Sequence, residues 1–317
     1  MEGVFPSGAL AAASRHPIAA VVAGTAALGT ACLAYGAGYE VRAFTLRRVA
    51  VPVLPAGQRP LRVLQVSDLH LTPDQARKKA WVRSLAALEP DLVIDTGDNL
   101  AHPDSVPHVL DALGPLLERP GLFVFGSNDY YSPRLKNPAR YLWERRSKPM
   151  PRRIDLPHTE LRDALGGAGW EYLGNARTRL KLDGRVLDVV GVDDPHVNRD
   201  RYNVVAGPAD PAVDLSVGIV HAPYRRVLDA MTADGHQLLI AGHTHGGQLR
   251  VPGFGALVTN CDLDRSRARG LSRYPSWRDP SAPWLHVSAG LGTSPFFPIR
   301  FCCRPEATLL TLVARDA

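Results

Sequence analysis

The stretch Ala241-Gly242-His243-Thr244-His245-Gly246-Gly247-Gln248 follows the apolar run Gln237-Leu238-Leu239-Ile240. The run predicts a buried strand that is closed off by glycine. Two histidines two residues apart, just past a strand and set among glycines, can aim at one point above a sheet edge. Backbone without a Cβ turns sharply and approaches a bound ion or phosphate closely. A Gly-rich turn carrying two solvated histidines is the competing reading of these eight residues alone. The choice depends on whether the rest of the chain supplies further ligands and delivers them to the same edge.

Upstream, one theme repeats: an apolar strand, then a polar residue able to bind metal. Leu61 to Val66 is β-branched and apolar and stops at Ser67-Asp68-Leu69-His70. If strand conformation persists there, Asp68 and His70 lie on one side. Gln75 to Leu88 has helix formers with spaced apolar residues, and predicts a helix. A second strand, Asp91 to Asp95, ends at Thr96-Gly97-Asp98-Asn99, and another helix falls around Ser105 to Leu117. Gly121 to Phe125 is a third strand, ending at Gly126-Ser127-Asn128-Asp129. Strands alternating with helices imply right-handed crossovers and a locally parallel sheet. Ligands of such sheets gather outside the carboxyl ends of the strands, where Asp68, His70, Asp98 and Asn128 all stand.

Downstream, Trp170–Leu173, Arg179–Leu182 and Arg185–Val190 are strand-like, with a hairpin turn at Asp183-Gly184. They predict an antiparallel sheet packed on the first, so the fold class is mixed α/β with α+β character. Gly191 to Pro195 closes one of these strands, and Leu215 to Val220 runs straight into His221. The other histidines (His16, His102, His108, His158, His196, His236, His286) lack this placement and read as surface or packing residues.

A chain of 317 residues with 45% hydrophobic content can bury a large core. Its net charge of +6 suits an anionic substrate or surface without choosing between phosphate ester, nucleic acid and lipid headgroup. Cys32, Cys261, Cys302 and Cys303 include no CxxC pair, which argues against a thiolate zinc site.

Residues 17–39, after a tail of residues 1–16, contain no charge and are long enough to cross a bilayer. A cleavable signal peptide competes, with small residues at Ala34 and Gly36. The apolar stretch exceeds the roughly 7–15 residues of a usual signal core and only Arg15 precedes it, so a retained single-pass anchor is expected. Arg42, Arg47 and Arg48 follow the span, which places the main domain on the cytoplasmic side. Residues 40–60 read as a linker into a domain of residues 61–317. Within it, residues 130–157 carry Arg134, Lys136, Arg140, Arg145, Arg146, Lys148, Arg152 and Arg153 among prolines and aromatics. They read equally as a solvated insertion or as a basic cap that meets phosphate, with Tyr141 and Trp143 at the interface.

The ordered series Asp-x-His, Gly-Asp, a Gly-Asn type turn, His and Gly-His-x-His resembles the calcineurin-like metallophosphoesterases. It is most similar to their bacterial membrane-linked branch of predicted phosphohydrolases. The match covers about Leu61 to Leu312 and includes Gly246-Gly247-Gln248, the Leu285 to Thr293 segment, Pro298-Ile299-Arg300 and Arg304-Pro305-Glu306. The resemblance implies a four-layer αββα sandwich with two divalent metals at the sheet edge. One metal would take Asp68, His70, Asp98 and His245; the other Asp98, the asparagine of the turn, His221 and His243. Imidazole and carboxylate ligands suit Mn, Fe, Zn or Ni. Two such ions roughly 3.5–4 Å apart would clamp a phosphoryl group and supply a bridging hydroxide for in-line attack.

The turn departs from the family's usual Gly-Asn-His-Asp. Without a gap, Ser127 falls on the ligand position and Asn128 on the histidine; a one-residue shift makes Asn128 the ligand and puts Asp129 where the histidine belongs. Asn128 is expected nearest the metals, with Asp98, Asn128, Asp129 and His221 as the catalytic set. The leading expectation is a membrane-anchored phosphohydrolase of phosphate mono- or diesters, on small-molecule, lipid or pyrophosphate-linked substrates. A scaffold that has lost turnover is the alternative suggested by the altered turn. A nuclease is disfavoured by the membrane span.

Overall fold

Two-residue alternation along the strands divides the apolar side chains between three cores. The computed structural model describes residues 17–135 and 153–315. In β2 (Leu61–Val66), Leu61 and Val63 face one buried cluster and Leu64 and Val66 another. The same alternation runs through β7 (Arg185–Gly191), β8 (Leu215–Val220) and β9 (Leu238–Ala241). There Val189, Val217 and Ile240 turn to the shared cluster while Val190, Val220 and Leu239 turn outward. Successive side chains of a strand point to opposite faces, so a strand apolar on both faces must be covered on both.

The shared cluster lies between two six-stranded sheets. The first is ordered β1-β14-β2-β3-β4-β5, with β1 at Thr45–Leu54, β3 at Leu92–Asp95, β4 at Gly121–Phe123, β5 at Glu171–Tyr172 and β14 at Glu306–Ala314. The second is ordered β12-β13-β9-β8-β7-β6, with β6 at Ala176–Leu182, β12 at Gly270–Arg273 and β13 at Trp284–Val287. Helices α2 (Ala76–Ser84), α3 (Val106–Leu113) and α5 (His158–Gly167) bury Val82, Val109 and Leu161 on the outer face of the first sheet. Helix α6 (Arg225–Ala233) buries Val227, Leu228 and Met231 on the outer face of the second. The result is the four-layer αββα arrangement.

Two expectations are corrected. The second sheet is not antiparallel throughout: β7, β8, β9 and β13 run parallel, and only β6 and β12 at the edges are antiparallel to their neighbours. Within the stretch 40–60, read as a linker, residues 45–54 form β1, which pairs with β14 over nearly its whole length. An edge strand tolerates Pro52, because its N–H side needs no partner there.

Helix α1 (Pro17–Gly38) has 22 residues, roughly 33 Å at about 1.5 Å per residue, and is long and apolar enough to cross a membrane. Its Ile18, Val21, Val22, Leu28 and Leu33 are exposed. Its C-terminal end is fastened to the domain. Arg300 N donates to Gly36 O at 3.3 Å, and the Glu40 carboxylate accepts the amides of Cys302 and Cys303 at 2.9 and 2.5 Å. The tail of residues 1–16 and most of the basic segment, residues 136–152, lie outside the described residues. That segment leaves and returns at one place, where Tyr130 O accepts Asp155 N and Leu156 N.

Two core histidines make stability depend on pH. His286 meets Gln65 across the two sheets (Nδ1 to Oε1, 2.6 Å), and His236 meets Ser216 (Nδ1 to Oγ, 2.6 Å). Burial lowers both to about 4. The unfolded chain therefore binds more protons than the folded one between the ordinary histidine value and about 4. Stability is complete above the unfolded value and is lost as pH falls through this window, by about 2 kcal/mol per histidine at pH 5. Chelator-treated protein should melt at a lower temperature at pH 5 than at pH 7.5, and His286→Gln should shrink the difference. An unchanged difference in that variant would refute the assignment.

Candidate metal centre

The ligand-bearing residues stand just past the strand ends, in backbone that side chains rarely adopt. Asp68, His70, Asp98, His243 and His245 have φ of 51°, 41°, 59°, 69° and 50°. Left-handed backbone is uncommon outside glycine and persists where its surroundings over-determine it, commonly at functional sites. Here Asp68 N bonds Gly97 O at 2.8 Å, His70 N bonds Asp98 O at 2.9 Å and Gly242 N bonds His221 O at 2.9 Å. Asp68 and His70 are thus not aligned by a continuing strand, since β2 ends at Val66. Two left-handed residues turn them to the same place instead. A Cβ at Gly126 would collide with the Asp98 carboxylate and the His221 ring. Only glycine lets that backbone pass behind them.

Asp68, His70, Asp98 and His245 each bring one ligand atom into a group whose members lie within 4.8 Å of one another. His70 Nε2 is 3.3 Å from His245 Nε2 and 3.5 Å from Asp98 Oδ2, and His245 Nε2 is 3.6 Å from Asp68 Oδ1. On its other side Asp98 Oδ2 lies 3.5 Å from His221 Nε2. Carbonyl groups fix the tautomers: Nδ1 of His245 donates to Gly292 O at 3.0 Å and Nδ1 of His221 to Thr96 O at 2.7 Å. A carbonyl only accepts, so the Nε2 atoms are the ones left to face a cation: His245 keeps its lone pair there, and His221 frees its own once it gives up a proton.

His243 stands apart from His245. Its ring centroid is 5.2 Å from that of His221 and 4.6 Å from that of His196, and its Nε2 is 3.3 Å from Asn260 O. Its backbone amide donates to the Asp68 carboxylate. The structure thus divides the Gly-His-x-His pair between two sides of Asp98.

The turn is built on α4 (Ser127–Tyr130). Asn128 donates its backbone amide to Asp98 Oδ1 and its side-chain Nδ2 to Oδ2, both at 2.7 Å. Asp129 is a correction to the expected catalytic set. It is fully buried and accepts the amides of Asp98 and Asn99 at 2.8 Å, Gly126 at 2.9 Å and Leu100 at 3.3 Å. Both oxygens are committed to backbone, so Asp129 positions the Asp98 loop and does not face a substrate.

Burial keeps His70 near 4 and holds His243 and His245 well below the ordinary imidazole value. These are neutral imidazoles, the form that binds cations. Burial raises Asp68 to about 6. For Asp98 burial acts upward, but the His221 charge outweighs it and holds the carboxyl well below its ordinary range; His221 is correspondingly raised by Asp98. The residues fit divalent cations. His221 Nε2 is fully buried without a hydrogen-bond partner beside a carboxylate, and the donors are imidazole and carboxylate with no thiolate.

Four contributors were not legible in the sequence. Arg300 is fully buried, its guanidinium on the carbonyls of Ala289, Gly290 and Gly292 at 2.8, 3.1 and 2.7 Å, and 3.4 Å from His245 Nδ1. Asp95 accepts Gly97 N and Asn99 Nδ2, bracing the loop that carries Asp98. Lys78 is buried and donates to Leu69 O at 2.7 Å between Asp68 and His70. His196 packs on His243 after the turn begun by Asp194 and Pro195, its only sequence signal.

Residues 61–247 match the calcineurin-like phosphoesterase family. Over 302 residues the chain is 24% identical to the uncharacterized metallophosphoesterase YkuE of Bacillus subtilis (strain 168), covering 90% of this chain and 93% of that one. It is 25% identical over 277 residues to phosphodiesterase YaeI of Escherichia coli (strain K12), with coverage of 85% and 88%. A transmembrane protein with metallophosphoesterase domain from Bos taurus is 28% identical over 213 residues, 63% of this chain and 44% of that one.

Proposed function

The chain belongs to the calcineurin-like phosphoesterase family and is a metal-dependent phosphoesterase; from that footing we propose a membrane-anchored hydrolase of phosphate mono- or diesters that uses two divalent cations. The observation that carries this reading is the position of Asp98, whose Oδ2 is 3.5 Å from both His70 Nε2 and His221 Nε2. One carboxylate between two imidazole-bearing clusters can serve two cations. Asp68, His70 and His245 complete the first set, and His221, His243 and Asn128 the second. When bound, such a pair lowers the pKa of water and neutralises phosphoryl charge. The chain's own part is to keep His70, His243 and His245 neutral, to aim His245 and His221 through Gly292 and Thr96, and to place Asn128 against the carboxylate. Helix α1, read as a retained span with the domain on the cytoplasmic side, keeps the centre at the bilayer, which favours a lipid or pyrophosphate-linked substrate.

The test is turnover of para-nitrophenyl phosphate and its bis ester by the full-length protein in detergent with Mn²⁺. Chelation should abolish it and Mn²⁺ restore it. His245→Asn and His243→Asn should each remove about one equivalent of bound metal and lower turnover by roughly 10²-fold or more. Two bound ions without turnover would favour the non-catalytic scaffold suggested by Ser127 in the altered turn. Hydrolysis of nucleic acid in preference to both esters would favour the nuclease reading.

A further inference from the structure

Immediately after the Gly-His-x-His stretch the chain forms a small hairpin, β10 (Arg250–Val251) and β11 (Gly255–Ala256), that the metal centre does not use. Its tip exposes Val251 and Phe254, the latter 60% accessible, and loop 296–299, bonded to Gln248 just before the hairpin, exposes Phe296. Between the hairpin and the following turn lies a cleft of about 440 Å³ lined by Arg250, Arg265, Arg269, Phe254 and Cys302. Among the described residues none of these three arginines has a carboxylate partner. Arg250 Nη1 bonds Gly246 O at 2.8 Å, and the Arg265 guanidinium lies 4.7 Å over the Phe254 ring.

The position of this surface is set by α1. Arg250 N bonds Phe301 O at 2.9 Å, Phe301 N bonds Gln248 O at 3.0 Å, and Gln248 Nε2 bonds the carbonyls of Phe297 and Ile299. The same short segment holds the C-terminal end of α1, through Gly36 on Arg300, Glu40 on Cys302 and Cys303, and the Tyr35 ring 6.3 Å from that of Phe301. Hairpin, cleft and helix end are therefore one fastened unit. If α1 spans a bilayer, the hairpin sits where the span leaves it. Exposed aromatic and aliphatic tips beside unpaired cations are the composition of a surface that inserts shallowly and attracts anionic headgroups.

We propose that the β10–β11 hairpin and loop 296–299 form a membrane-docking face whose three-arginine cleft takes the phosphate of an anionic phospholipid headgroup. The inference rests on the reading of α1 as a membrane span. Docking would hold the loop carrying His245 against the bilayer, with Arg250 bonded to Gly246 as the link.

The test uses full-length protein in nanodiscs of brominated phosphatidylcholine, with or without phosphatidylglycerol. A tryptophan placed by Phe254→Trp should show emission that the brominated chains quench beyond the parent protein. The quenching should be at least twofold greater with phosphatidylglycerol. Arg265→Gln/Arg269→Gln in the same background, which leaves the Arg250 bond intact, should erase the phosphatidylglycerol gain. Quenching no greater than the parent's, or independent of lipid charge, would overturn the docking face. A separate Leu28→Trp variant reports the span itself. If its added emission is unquenched in every disc, the anchor reading fails and the docking inference falls with it. Quenching in the Leu28→Trp variant without quenching in the Phe254→Trp variant sinks docking alone.

Discussion

An Asp98→Asn variant should fold normally, lose at least ~10³-fold in turnover of bis-para-nitrophenyl phosphate and bind fewer than two equivalents of Mn²⁺. Asparagine preserves the shape but offers one neutral oxygen where the carboxylate offers two charged ones. Asp98 is the group shared by both imidazole clusters, so its loss weakens each cation rather than one. It also removes one of the two oxygens that accept from Asn128, loosening the α4 turn against the centre. Metal analysis and turnover should be measured on the same preparation. Full metal occupancy with turnover within tenfold of the parent would overturn the assignment of Asp98 as the shared ligand.

An Asp129→Ala variant should be destabilised on the order of 5 kcal/mol, since several buried backbone N–H groups lose their acceptor at about 1–3 kcal/mol each. Those amides belong to Gly126, Asp98, Asn99 and Leu100, so the loss also loosens the loop that aims Asp98. Weaker Mn²⁺ binding, by roughly 10–100-fold, is expected to accompany the lower melting temperature. A residue acting as the leaving-group acid would behave differently: its loss would leave melting unchanged and remove one limb of the pH–rate profile. That second pattern would restore Asp129 to the catalytic set.

The same pair shows how far local sequence reaches. Asp98 was legible because a strand ends in Thr-Gly-Asp, and strand ends of a crossover sheet meet at one edge. Asp129 stands in an equally suggestive turn, yet its carboxylate points into the loop beneath the site. Which way a side chain leaves a one-turn helix depends on the amides waiting across the gap, and three of those come from residues 29 to 31 positions earlier. The 40–60 segment was misread for a related reason. Its prolines and glycine look like a linker when read locally, and its partner β14 lies more than 250 residues away. Arg300 stands within a segment typical of the family branch, but its burial beneath His245 depends on how the carbonyls of Ala289, Gly290 and Gly292 close around its guanidinium.

From sequence alone, the resemblance to the family implied the four-layer sandwich, while the alternating apolar pattern and the polar residues closing each strand determined a crossover sheet with imidazoles and carboxylates at one edge. The sheet and its edge follow from periodicity and chain order, which are local. Only the tertiary structure decided that left-handed turns aim Asp68 and His70 at one place, that Asn128 lies on the Asp98 carboxylate while Asp129 serves the backbone, and that α1 ends beside the metal-bearing loop. Each of these is a matter of side-chain direction at left-handed turns and of contacts between distant segments. A one-residue change of backbone sign redirects a ligand completely, and nothing in the periodicity of a sequence records it.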